Sequence, residues 1–334
     1  MTHQLSAKPA QADIPAPDPQ AAADDIDRPI FFIGAPRSGT TIVFEAFSAH
    51  ADLAWFSNFL HKFPRYPVVS LASRIAISNR LLGTKQQGVQ QGRFRFPLPH
   101  AIECYPVWDR CCGEKFRYDY LINQQASESE KRKARALVAK VTKYQGKERF
   151  TAKITGPSRI CYLSSIFPDA LFIHIIRDGR AVADSLMNVR FWKEGGGYER
   201  PWWKGGLTAE DLEIYTRHNR SPLALAALQW RRIILVARQE AEQLQASRYT
   251  ELRYEHAVRE PHFFIDKLIE FAQLEPSAKV HEYVSRKSSF QDMNFKYRQH
   301  FSSQDLAMLE DILGDVNSRL GVPTDIKFRP DPGQ

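Results

Sequence analysis

The chemistry legible in this chain begins with a glycine-bounded loop. Residues 34–41 read Gly-Ala-Pro-Arg-Ser-Gly-Thr-Thr, entered by the apolar run Ile30-Phe31-Phe32-Ile33 and left by a helical pattern through Val43, Phe44 and Phe47. A strand, a tight loop and a helix in that order form a phosphate cradle: loop N–H groups turn inward and the helix dipole adds positive potential. The spacing from Gly34 to Gly39 is that of a nucleotide P-loop, but Thr40 stands where G-x-x-x-x-G-K-[ST] requires lysine. Without the charge that neutralises β and γ phosphates, ATP or GTP hydrolysis is disfavoured. The positive charge sits inside the loop instead, at Arg37.

A second cluster follows another apolar run. Ala170 to Ile176 ends at Arg177, and Ser185 lies about two turns into the next helical stretch. Parallel strands present ligands at their carboxyl ends. Arg177 is therefore placed beside whatever the first loop holds, and an arginine fork with a nearby hydroxyl suits a second phosphate. A purely structural alternative pairs Arg177 with Asp178 or Asp184.

These groups need a scaffold, and the remaining pattern supplies one. The chain has 334 residues, 43% hydrophobic and 25% charged, with a net charge of +8. That is ordinary for a globular α/β protein, and no long Lys/Arg run with interleaved aromatics points to nucleic acid. Further strands are predicted at residues 52–56, 150–154, 170–176 and 249–254. Helices are predicted after Ser127, whose spacing to Glu130 makes a capping box, after Pro157, and over residues 180–189, 221–244 and 263–272. A helical pattern over 68–82 and a long loop over 83–106 lie between. Strands alternating with helices predict a mainly parallel central sheet flanked by helices on both faces. Residues 1–28, rich in Ala, Pro, Asp and Gln, read as a disordered tail before a single domain over 29–330. The four cysteines lack C-x-x-C or zinc-type spacing and read as reduced, buried thiols; no metal site is expected. No run reaches the ~20 apolar residues of a membrane span, and the first residues lack a secretory pattern, so a cytoplasmic location is expected.

Four segments, PRSGTT, KITGPSRICYLSSIFPDALFIHIIRDGRAVADS, LRYEHAV and FKYRQHFS, occur in this order. In this they resemble the signatures of sulfotransferases that use 3′-phosphoadenosine 5′-phosphosulfate (PAPS), nearest the branch containing tyrosylprotein and bacterial sulfotransferases. The resemblance is strongest over residues 29–58, 150–190 and 249–300. It implies an α/β, three-layer, P-loop-NTPase-like fold. It also implies that Arg37, Ser38, Gly39, Thr40 and Thr41 hold the 5′-phosphosulfate and that Arg177 and Ser185 hold the 3′-phosphate. Tyr254 would lie near the adenine and Lys296 would reach back to the phosphates, with Tyr297 at a position usually held by tryptophan. Lys153 matches the lysine beside the transferring sulfuryl group, where it and Arg37 would offset charge on the leaving oxygen. Adenosine 3′,5′-bisphosphate (PAP) would be the leaving product, with no metal required.

The chain departs from that branch where a glutamate acts as base, for Asn58 stands there and cannot take a proton. His61, His100 and Glu103 are the remaining candidates. Glu103 is favoured because a carboxylate on an otherwise apolar stretch is costly to keep idle, with a salt bridge to Arg95 or Arg110 as the structural alternative. Acceptor contacts are expected from residues 86–108 and from 191–220, an aromatic, glycine-containing stretch that could be a lid, a stacking platform or a packed insertion. The expected acceptor is a small molecule or carbohydrate presenting a hydroxyl or amine. The competing readings are a non-catalytic binder of PAP and a P-loop kinase.

Overall fold

The computed structural model describes residues 26–74, 98–286 and 290–321. Residues 1–25 of the predicted tail, 75–82 of the helical pattern over 68–82 and 83–97 of the predicted loop lie outside the described residues; within the described residues, 67–70 form a short 3-10 turn and 71–74 are helical.

Five strands form one all-parallel sheet: β1 (Ile30–Gly34), β2 (Leu53–Trp55), β3 (Arg149–Thr155), β4 (Leu171–Ile176) and β5 (Tyr249–Arg253), in the order β2-β3-β1-β4-β5. The sheet explains why β1 reads as a continuous apolar run. Alternate side chains leave a strand on opposite faces, and here both faces are covered. Phe31 and Ile33 join the core under α3 (Tyr105–Cys112), α4 (Glu128–Gln145) and α5 (Ile160–Ile166). Ile30 and Phe32 join the opposite core with Val43, Phe44 and Phe47 of α1 (Thr40–Phe47). Helix α2 (Asn58–Lys62) follows β2 and is capped by the Ser57 hydroxyl, which accepts from Leu60 N at 3.1 Å. A third cluster surrounds Trp230, where α6 (Gly179–Met187), α7 (Pro222–Ala241) and α8 (Ser303–Arg319) meet.

Local signals and tertiary packing agree at α4. Ser127 and Glu130 form the reciprocal capping box, and Gly146 closes the helix in the left-handed conformation. Other boundaries move. Tyr254 opens a helix instead of closing β5, and residues 105–112 form α3 where a loop is predicted up to 106. Pro106 sits at the start of α3, where its missing N–H costs nothing.

The order of strands has a direct chemical consequence. β1 lies between β3 and β4, so the loop after β1 is flanked by the carboxyl ends of both. Gly34 is in register with Thr155 of β3, and Ile33 with His174 of β4.

Candidate active site

The loop between β1 and α1 has its shape imposed by two close approaches. A Cβ on Gly34 would lie 2.4 Å from the Ile175 carbonyl oxygen, and one on Gly39 would lie 2.3 Å from the Tyr254 ring. Gly39 has φ +81° and Arg37 has φ +71°, so two residues of the turn are left-handed. Such turns face successive N–H groups toward a common point. At Arg37 the conformation costs on the order of 1 kcal/mol or more. Ser38 is fully buried, and its hydroxyl has no hydrogen-bond partner among the described residues. An orphaned buried hydroxyl inside a cradle is a polar group waiting for an acceptor.

Cations reach this loop from both flanking strands. Lys153, on β3, is nearly buried, and its Nζ donates to Thr41 Oγ1 at 2.8 Å. Arg177, just past β4, donates from one terminal nitrogen to the Arg37 carbonyl at 3.0 Å and from Nε to Asn294 Oδ1 at 2.7 Å. Its guanidinium lies 4.7 Å from the centre of the Tyr254 ring, and burial pushes its pKa down. Arg37 Nε donates to Ser185 Oγ at 2.8 Å, which ties the loop to α6. The structural pairings open to Arg177 are taken by others: Asp178 is paired with Arg180 at 2.8 Å, and Asp184 with His300 at 2.8 Å. Among the described residues, neither Lys153 nor Arg177 is in an ion pair.

A cleft of about 460 Å³ opens over the loop. It is lined by Arg37, Thr40, Thr41 and Lys153 on one side, by His61, Glu103, Tyr105, Arg117 and Tyr118 on another, and by Phe191, Trp202 and Trp203. Glu103 is held at the wall by Thr155, whose hydroxyl contacts its two oxygens at 2.8 and 2.9 Å and whose backbone N–H also donates to it. The salt bridge to Arg110 does not form, and Arg95 lies outside the described residues. Tyr105 anchors the same strand end by donating to the Thr155 carbonyl at 2.5 Å, and burial raises its pKa. The aromatic stretch is packed on itself: Trp192 is fully buried and stacks on Trp202 with centroids 5.8 Å apart. Gly195 and Gly197 admit the Trp202 and Trp192 rings at distances no side chain would allow. It is thus both packed insertion and cleft wall.

Of the residues singled out from sequence, Arg37, Thr40, Thr41, Lys153, His61 and Glu103 share the cleft. Ser38, Gly39, Arg177, Ser185 and Tyr254 adjoin it beneath and beside the loop. His100 is exposed, is held to Asn58 and Leu98, and is not among the cleft-lining residues. Lys296 is exposed in a short turn and makes no contact with the cradle among the described residues. Sequence reasoning missed Asn294, which bridges Arg177 to Glu255 (2.8 Å), and missed Arg117 and Tyr118 in the cleft. Asn294 stands two positions before Lys296, so the nearby segment pointed to the right neighbourhood but the wrong side chain.

The sequence profile described as the Sulfotransferase family matches residues 29–278. No curated protein matches the chain. Among solved structures, the sulfotransferase STF9 of Mycobacterium avium is similar with a TM-score of 0.55 at 15% identity, over 91% of this chain and 80% of that one. STF1 of Mycobacterium tuberculosis gives 0.49 at 15% identity, over 85% and 79%. Mouse sulfotransferase SULT7A1, solved in complex with PAP, gives 0.42 at 10% identity, over 91% and 90%. The first of these carries the likeness of fold: the five-stranded parallel sheet flanked by helices. No described helix is long and apolar enough to cross a membrane.

Proposed function

The chain belongs to the sulfotransferase family, a family of PAPS-dependent transferases, and from that premise we propose that it moves a sulfuryl group from PAPS to a hydroxyl or amine of a small-molecule or carbohydrate acceptor. One observation carries this reading. Two buried cations that form no direct ion pair among the described residues, Lys153 and Arg177, bind the Thr41 and Arg37 ends of one loop from the strands on either side of it.

The residues fit the donor on structural grounds. The buried Ser38 hydroxyl lacks a partner among the described residues, the cradle has no room for a Cβ at Gly39, and Lys153 and Arg177 reach it without forming a direct ion pair among the described residues. Ser38 to Thr41 would hold the phosphosulfate, with Arg37. Arg177 and Ser185 would hold the 3′-phosphate, which separates this donor from ATP, and the Tyr254 ring beside Arg177 would flank the base. PAPS supplies a sulfuryl group on a phosphoric–sulfuric anhydride, whose displacement leaves negative charge on the phosphate oxygen. Lys153 Nζ and the Arg37 guanidinium offset charge at that end of the cleft, a preorganised electrostatic contribution. Glu103 takes the acceptor proton: its carboxylate is oriented by Thr155 and shares the cleft with Lys153. Phe191, Trp202, Trp203 and Tyr118 form an aromatic wall that orients an acceptor and sheds water from the reacting end.

Two titrations and one assay test this. PAP should bind without added metal, and radiolabelled PAPS should label an acceptor drawn from a panel of phenols, sugars and amines. Binding of MgATP but not PAP would sink the reading. PAP binding without transfer to any acceptor would favour a non-catalytic bisphosphate binder.

A further inference from the structure

Charge is distributed unevenly along this chain. Residues 53–102 contain seven Lys and Arg and no Asp or Glu, so this stretch carries +7 of the net +8. Its described part is about a tenth of the described residues, yet holds Phe63, Tyr66, Val68, Leu71 and Leu98. These are half of the ten large hydrophobic side chains exposed among the described residues. Phe63 and Tyr66 are 45% and 60% exposed. Between them sits exposed Arg65, and Lys62 Nζ lies 5.8 Å from the Phe63 ring centre. Backbone bonds from Tyr66 N to Phe63 O and from Val69 N to Tyr66 O, both 3.0 Å, fold the ridge tightly. The ridge begins one residue after His61, which lines the cleft.

From this juxtaposition we infer that the ridge Lys62–Leu71 docks the protein peripherally on an anionic lipid bilayer, beside the mouth of the cleft. Aromatic and aliphatic side chains interleaved with cations suit the headgroup–acyl boundary, where apolar insertion and attraction to anionic lipid add. The ridge itself contains no carboxylate, so its own residues set up no repulsion against anionic lipid. Lys62 and Arg65 face the headgroups while Phe63 and Tyr66 enter between them. The inference stands on charge and exposure alone, independently of which reaction the cleft performs.

The test is sedimentation of the full chain with phosphatidylcholine vesicles, with and without about 30% phosphatidylglycerol. Binding is expected to the anionic vesicles only and to weaken as salt rises. Lys62→Gln with Arg65→Gln should weaken it by about thirtyfold, given the contribution of each cation near such a surface. Phe63→Ser with Tyr66→Ser should weaken it by a comparable factor. Tm serves as the folding control and should not move in either variant. No binding to anionic vesicles overturns the inference, as does capture by an acidic protein partner in place of lipid. Vesicle binding that both variants retain overturns it equally, because another surface would then make the contact.

Discussion

Lys153 Nζ and Thr41 Oγ1 are 2.8 Å apart, a single bond that joins the middle of β3 to the first turn of α1. It holds a nearly buried ammonium, with no carboxylate partner among the described residues, at the open side of the cradle. A charge kept in that state is costly to the fold and useful to an anionic ligand. Arg177 makes the corresponding contact from the other side, to the Arg37 carbonyl.

The two cations should separate in their effects. Lys153→Ala is expected to abolish sulfuryl transfer while PAP affinity stays within a few-fold. Arg177→Ala should cut PAP affinity by roughly ten- to a hundredfold, the worth of a charged hydrogen-bonding pair. Calorimetric titration of both variants checks this. Equal loss of binding in the two would make Lys153 part of the cradle rather than a group acting on the leaving oxygen.

Glu103→Gln preserves shape and one acceptor for Thr155 but removes the basic oxygen. Turnover should fall by about 10²–10⁴, with PAP affinity unchanged. Undiminished kcat would transfer proton removal to His61, which also lines the cleft; His100 does not.

Gly39→Ala should damage the donor site without touching any charge. Its Cβ would meet the Tyr254 ring at 2.3 Å with φ already at +81°. A fall in Tm together with at least tenfold weaker PAP binding is expected, because the loop can relieve the clash only by moving. Wild-type affinity in this variant would mean that the loop and Tyr254 do not sit together as described.

His174 predicts a stability change with pH. It is fully buried on β4, with Nδ1 2.7 Å from the Tyr249 hydroxyl, which itself donates to Glu251 at 2.7 Å. Tyr249 has one proton and gives it to Glu251, so the Nδ1 proton belongs to His174 and Nε2 is left buried and unpaired. Burial pushes the imidazole pKa down to about 4, from an ordinary 6.5. The unfolded chain therefore binds the proton first as pH falls. The contribution is fully present above pH 6.5 and is lost progressively as pH drops toward 4. Urea midpoints between pH 7.5 and 4.5 should fall less steeply in His174→Leu than in the wild type. Parallel slopes would show that His174 is not the group responsible.

Much of the site was legible because its signals are local. A glycine-bounded turn between an apolar run and a helix announces a cradle from Gly34 to Thr41 alone. Arg177 was legible from its position after an apolar strand, since parallel sheets gather ligands at that end. Glu103 was singled out by its cost in apolar surroundings, though its partner, Thr155, lies 52 residues away and leaves no local mark. Asn294 itself carried no signal, although the neighbouring FKYRQHFS segment did: a lone polar residue reads as solvated until Arg177 is found against it.

By itself, the sequence determined the alternation of strands and helices, the cradle with its missing Walker lysine, and the carboxylate-free stretch over residues 53–102. Each follows from the chemistry of neighbouring residues and from backbone periodicity. Only the tertiary structure decided that β1 lies between β3 and β4, so that Lys153 and Arg177 meet the same loop from opposite sides. An apolar parallel strand carries no mark of which neighbour it will bond. That choice is made by which helices can cover both faces at once, and it decides which charges share a site.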